Sequence, residues 1–232
     1  DLNNYFSLSV PDNVDIGLLC DQLNALDIIE LAEPMLLPAP LPVDLDPPTG
    51  DYSQLQGYRA DLGLADLQGV PGIDGAATAF VDVEYSWVLD HEDLELPAET
   101  NIDTETLNDP FPQQEGSHGT AVLGVISGGN NLYGVTGLTP GATAYVIPTN
   151  TLESGFSVAR AITVATAKLT AGDVILIEQQ NSVCNSLDYG PVEWGQAEFD
   201  AIATATANDI IVVEAAGNGS VNLDAVACGS LF

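Results

Sequence analysis

The rhythm of apolar and polar positions changes along this chain. Residues 4–10 (Asn-Tyr-Phe-Ser-Leu-Ser-Val) alternate with a period of two, which predicts a strand. Pro11-Asp12-Asn13 signals a helix start, and Val14, Leu18, Leu19, Leu23 and Leu26 recur near the helical period over 14–28. Ile28-Ile29-Glu30-Leu31 reads as a second strand. From residue 79 the texture is α/β. Ala79-Phe80-Val81-Asp82-Val83 is a short apolar strand whose end carries an acid, 118–127 is a helix opened by His118, and 143–147 is a strand. Val158, Ile162, Ala165 and Leu169 share one helical face. Residues 173–178 form a buried-type strand, a helix begins near Phe199, Ile202 and Ala203, and 210–213 is another buried strand. Uninterrupted apolar strands alternating with helices predict a parallel sheet with helices on both faces. In such sheets the functional crevice lies past the carboxyl ends of the strands. Asp82 and the segment 215–218 fall at such ends.

Between the two textures lie six prolines in 34–48 (Pro34, Pro38, Pro40, Pro42, Pro47, Pro48), an extended stretch poorly suited to a sheet. Three regions are therefore expected: a small α+β unit over 1–37, a proline-rich linker and extension over 38–75, and the α/β domain over 76–232. The 232 residues, with 46% apolar, suffice for a sizeable core. No apolar run reaches the roughly 18 residues of a membrane span. The chain opens at Asp1 without a basic-then-apolar leader, so it is expected to be either processed or a piece of a longer precursor.

Charge narrows the partners. There are 34 acids against three bases (Arg59, Arg160, Lys168), a formal charge of −31. Such a polyanion repels nucleic acid and anionic membranes, which are excluded as partners. Two uses of the acids stay open, solubility in salty or extracellular water and cation binding. The cysteines, Cys20, Cys184 and Cys228, lack metal-ligand spacing. Cys184 and Cys228 both fall in the C-terminal α/β region, where a disulfide between them is expected if the protein is secreted. Cys20 is left as a small buried hydrophobe.

Asp82, His118 and Asn218 are the candidate chemistry. A histidine acting as general base needs a carboxylate to fix its tautomer and favour the imidazolium. It also needs donors near a developing oxyanion, which the amide of Asn218 in Ala-Ala-Gly-Asn-Gly can offer. Each residue alone has a plain structural role: a strand-end cap, a helix N-terminal residue and a turn residue. Their joint occurrence, in this order, carries the reading. His91 is assigned to packing.

These segments resemble the subtilisin-like serine peptidases over roughly residues 76–224. Val81-Asp82 followed by His91-Glu92-Asp93-Leu94 resembles the aspartate motif, although Val83-Glu84 stands where the family has a small residue and a glycine. His118 to Pro140 (HGTAVLGVISGGNNLYGVTGLTP) resembles the histidine helix and its following loop. Val212 to Gly219 (VVEAAGNG) resembles the oxyanion strand. The resemblance implies a polypeptide substrate, with Asp82 orienting His118, His118 as base and Asn218 at the oxyanion. It also implies a substrate edge near Glu178, Ala216 and Gly217. Here the family's Ser-x-Gly-Gly edge is replaced by Glu178-Gln179-Gln180-Asn181, and Glu178 at the rim favours basic or polar substrate side chains. The family's calcium position maps onto the side chains of Asp93 and Asn131 and the carbonyls of Gly129, Tyr133 and Val135, hard oxygen ligands suited to Ca2+. Residues 1–37 resemble the latter half of the family's propeptide, through Ile29-Glu30 and Glu33-Pro34.

One part of the pattern is not found. No Gly-Thr-Ser-x-Ala segment follows Asn218, and neither Ser220 nor Ser230 is placed to act as nucleophile. The expectation is therefore a secreted serine endopeptidase chain, inactive alone, that needs a complementing C-terminal chain or belongs to a longer precursor. The alternative is a non-catalytic structural or assembly protein on a truncated peptidase fold, self-associating through an open sheet edge.

Overall fold

The computed structural model describes residues 8, 10, 11, 13–29, 32, 49–67, 69–114, 116–184 and 188–224. The chain divides into two compact units, 1–45 and 46–232.

In the first unit, α1 (Ile16–Asn24) is shorter than the periodicity predicts. Asp15 caps it by accepting the Leu18 N–H at 3.0 Å. Beyond the helix, the Asn24 side chain clasps Ala32 through its N–H (2.6 Å) and C=O (2.9 Å). Ile28 lies in a turn rather than in the expected strand. Most of the strand expected over 4–10, together with Glu30, Glu33 and Pro34, falls outside the described residues.

The second unit runs α2 (Tyr58–Asp61), β1 (Ala79–Glu84), α3 (Ser117–Ser127), β2 (Thr143–Pro148), β3 (Asn150–Thr151) and β4 (Gly155–Phe156). It continues with α4 (Val158–Lys168), β5 (Val174–Ile177), β6 (Asn181–Ser182), β7 (Tyr189–Gly190), α5 (Gln196–Ala207) and β8 (Ile211–Glu214). Four strands form a parallel sheet in the order β2-β1-β5-β8, while β3–β4 and β6–β7 are short antiparallel pairs. The fold is α/β, as predicted.

The central strand β1 explains the rest. Its side chains alternate between two dry faces, so nearly every position is buried. Val81 and Val83 face a core built with Ile162 and Ala165 of α4, Ala205 of α5, and Ile175 and Ile177 of β5. Phe80 faces a second core with Leu123 of α3 and Val146 of β2. Each such Val or Ile contributes about 1.5–3 kcal/mol by leaving water. By the same alternation Asp82 and Glu84 share the Phe80 face, toward α3. This face carries the candidate site.

α3 begins hard against Trp87. Gly116 has φ +66, and a Cβ there would come within 2.7 Å of the Trp87 backbone. A Cβ on Gly119 would come within 2.6 Å of the indole. Both glycines are needed for the helix to start where it does. Thr120 then accepts the Val88 N–H at 2.8 Å, fixing the first turn of α3 against 87–88.

Candidate active site

β1 continues past Asp82 to Glu84, and Glu84 meets the histidine. Glu84 Oε2 lies 2.6 Å from His118 Nδ1. Its Oε1 accepts from the Tyr85 N–H at 2.7 Å and from Gln179 Nε2 at 2.9 Å. The carboxyl is buried. Burial pushes its pKa above the usual glutamate value and the charge of Glu178 adds to the rise, against the Tyr85 N–H and His118. An imidazole whose Nδ1 faces a carboxylate keeps its proton there and presents Nε2. The His118 side chain is 61% exposed, so that opposite edge is open.

The expectation that Asp82 orients His118 is corrected by this geometry. Asp82 is fully buried, and its Oδ2 accepts the Trp87 Nε1–H at 2.7 Å. Its Oδ1 has no partner among the described residues. Burial pushes its acidity well below that of an ordinary aspartate. The Trp87 bond opposes this, and the charges of Glu178 and Glu84 add to it. The physical reason is depth. Asp82 and Glu84 share a face, but Asp82 sits one strand repeat deeper, roughly 6.6 Å from the crevice end. It instead holds Trp87, the surface on which α3 begins.

The third expected residue, Asn218, lies on the loop after β8 and is exposed. Its N–H donates to Gln180 Oε1 at 2.9 Å. The segment 178–180 thus touches both Glu84 and the Asn218 loop. At its start the Glu178 N–H donates to Val83 O at 3.2 Å, and the Ala215 N–H donates to Ile177 O at 3.0 Å. Ala216 is exposed. Gly217 has φ +87, and a Cβ there would come within 2.5 Å of Gly190 Cα, so this position tolerates only glycine.

Beside His118 a recess is lined by Tyr85, Phe111, Gln114 and Gly116. Tyr85 meets Phe111 edge-on at 5.2 Å and Phe156 at 5.9 Å between ring centroids. Sequence reasoning did not single out Tyr85, Phe111, Phe156 or Gln179. The signal for Glu84 and Gln179 was present in the places where this chain departs from the family pattern.

The loop expected to hold calcium does assemble. Asp93 is buried, with Oδ2 accepting the Val135 N–H at 2.7 Å and Oδ1 accepting from Asn131 Nδ2 at 2.9 Å. Asn131 Oδ1 takes the Tyr133 N–H at 3.1 Å, and the Gly129 N–H donates to Asp93 O at 2.8 Å. Both carboxylate oxygens face N–H donors, and Asn131 turns its NH2 toward them. As arranged, this donor set does not fit Ca2+. Cys184 is disulfide-bonded and Cys20 is a free thiol, while Cys228 lies outside the described residues.

Residues 78–230 match the model of the subtilase family, peptidase S8. No curated protein matches the chain. Among solved structures it is similar to one titled "Structure of Prenylagaramide maturation protease PagA", with 19% identity and a TM-score of 0.40. That match covers 64% of this chain and 52% of the other, so this chain spans about half the length of that protein. With a family match across most of the α/β unit, the chain belongs to the subtilase family of serine peptidases.

Proposed function

We propose that this chain carries the acid–base half of a serine endopeptidase site, with Glu84 and not Asp82 as the carboxylate. The 2.6 Å contact between Glu84 Oε2 and His118 Nδ1 carries the reading. His118 Nε2 takes the proton of an attacking serine hydroxyl and returns it to the leaving amine. Glu84 holds the ring and stabilises the imidazolium between those steps. Asn218, on the loop after β8, supplies a side-chain amide to the oxyanion. The serine comes from outside the described residues, by a C-terminal segment or a companion chain. Among the described residues no hydroxyl is hydrogen-bonded to His118.

The substrate is a polypeptide. Glu178 and the −31 charge favour basic or polar side chains beside the scissile bond, and a measured preference for acidic side chains would reject that part. The same charge and the Cys184 disulfide support an extracellular setting.

The test uses protein from its native source, treated with a fluorophosphonate probe. Labelling of a serine on this chain or a companion, abolished by His118→Ala, is the expected result. No labelling of any associated chain would overturn the reading in favour of a non-catalytic assembly protein.

A further inference from the structure

Gln179 is almost wholly buried, at 3% exposure. A buried amide is retained only when its donors are used, because an unpaired one costs the full desolvation of the group. Its Nε2–H donates to Glu84 Oε1 at 2.9 Å, beside the Tyr85 N–H at 2.7 Å. Two donors thus occupy one oxygen, and the other is left for His118 at 2.6 Å. Without Gln179, the Tyr85 N–H would be the one donor left on Oε1, with the charge of Glu178 nearby. The next residue, Gln180, accepts the Asn218 N–H, so the pair Gln179-Gln180 joins the Glu84–His118 contact to the Asn218 loop. A small-residue edge at this place could not make either bond.

We propose that Gln179 is a positioning residue whose amide holds Glu84 Oε1 and so aims Oε2 at His118, selecting the Nδ1–H tautomer of that ring. The inference rests on the Glu84–His118 reading above and adds the group that sets it.

The chain contains two histidines, which makes the test clean. His91 Nδ1 accepts the Asp93 N–H at 3.2 Å, so the two rings carry their protons on opposite nitrogens. The full chain is labelled with 15N-histidine, and two-bond 1H–15N correlations are recorded at a pH where both rings are neutral. In the wild type, His118 is expected as the Nδ1–H form and His91 as Nε2–H. In Gln179→Met, the Nδ1–H to Nε2–H ratio at His118 is expected to fall about tenfold, the scale of one charge-assisted hydrogen bond, with His91 unchanged. Gln179→Asn, whose amide is one methylene short, is read the same way if the methionine variant does not fold. A His118 ratio within about twofold of wild type in the folded variants overturns the inference and leaves the Glu84 pairing intact. Unfolding of both variants also overturns it, because Gln179 would then hold the core rather than one ring. An Nε2–H wild-type His118 would instead reject the Glu84 pairing itself.

Discussion

Asp103 and Glu105 share Arg160, whereas Asp82, Glu84 and Glu178 crowd one another, and among the described residues only Glu84 meets a nitrogen base, the His118 imidazole. Side-chain exposure is 2% at Asp103 and 6% at Glu84, while Glu105 is more open at 23% and Asp82 is fully buried. Their acidities nevertheless move in opposite directions. At Asp103 burial opposes ionisation, but two Arg160 hydrogen bonds at 3.0 and 2.6 Å and the Glu105 and Thr104 N–H groups hold its pKa below the usual value. Glu105 is also held low, chiefly by the hydroxyls of Thr151 and Ser154. At Glu84 and Asp82 burial prevails and both are pushed up. Burial alone therefore does not set these carboxyls, and the nature of the partner does. In a chain with three bases, one guanidinium stabilises the 103–105 loop against α4. The Asp82–Glu84 face receives none among the described residues, and there burial raises both carboxyls.

The largest way to break this comparison is to remove the Glu84 charge. Glu84→Gln in the labelling-competent protein is expected to lower the rate of fluorophosphonate reaction about 10³–10⁴-fold, the known scale for neutralising the orienting carboxylate of such a triad. The pH profile carries a sign as well. Because burial raises Glu84 above an ordinary glutamate, its charge is lost on acidification at a higher pH than a free glutamate's, and the pH profile of the Gln variant should lack that step. A loss under about tenfold in the Gln variant would leave the carboxylate without its assigned role.

Arg160→Met tests the other side. It strands Asp103 as a buried charge, at a cost of about 3 kcal/mol in urea unfolding at neutral pH. Asp103 has a depressed folded pKa, so its stabilising contribution is present above the unfolded value of 3.8 and lost as pH falls through the folded one. The cost of the mutation should therefore shrink in acid. A penalty that stays constant with pH would mean Arg160 acts by packing its stem rather than by its charge.

Most of this architecture is legible in the residues themselves. The apolar runs at 79–83, 143–147, 173–178 and 210–213 are strands within about two residues, but the last, expected to be buried, is the edge strand β8, with Ile211 53% and Val213 49% exposed. His118 opens a helix as expected. The carboxylate identity was misread for one reason. In a strand buried on both sides, Asp82 and Glu84 look equivalent, and which of them reaches the crevice depends on where the ladder stops. Glu84 pairs with Pro148 at the last rung of β1–β2, and no local pattern marks that rung. Gln179 stood out only as a departure from the family's edge, and its role was missed for a second reason. An amide between two polar neighbours reads as loop, and only the approach of β1 to β5 makes it buried. In the first unit, α1 shows the limit of periodicity: Leu18 keeps helical spacing while exposed, and Leu26 falls beyond the helix end.

Asp82→Asn sharpens the comparison by removing a charge the fold does not use. The amide oxygen can still accept from Trp87, so the start of α3 is preserved. With a folded pKa raised above the unfolded 3.8, Asp82 favours the folded state below that value and loses this contribution as pH rises through the folded pKa. The Asn variant should lack that pH-dependent loss and exceed wild type by about 1 kcal/mol at neutral pH and above, measured by urea unfolding across pH. A variant less stable than wild type there would show that the ionised carboxyl is being stabilised by something in its surroundings.

The smallest expected effect lies at the end of the edge strand. Glu214 is pushed up to about 7, first by burial and then by the charge of Glu193, against the Val192 and Glu193 N–H groups. It is a further acid without a cation, and it is half-buried. Its folded pKa exceeds the unfolded 4.5, so it should favour the folded state below that value and lose this contribution progressively as pH rises through about 7. Glu214→Gln should flatten that part of the stability profile. Solvent screening keeps the difference at neutral pH to about 0.5 kcal/mol, less than at Asp82. The ranking is the point of the measurement. If Glu214, the less buried acid, gave the larger pH slope, Glu193 repulsion would outweigh desolvation, and charge crowding rather than dryness would explain why the carboxyls of this sheet hold their protons.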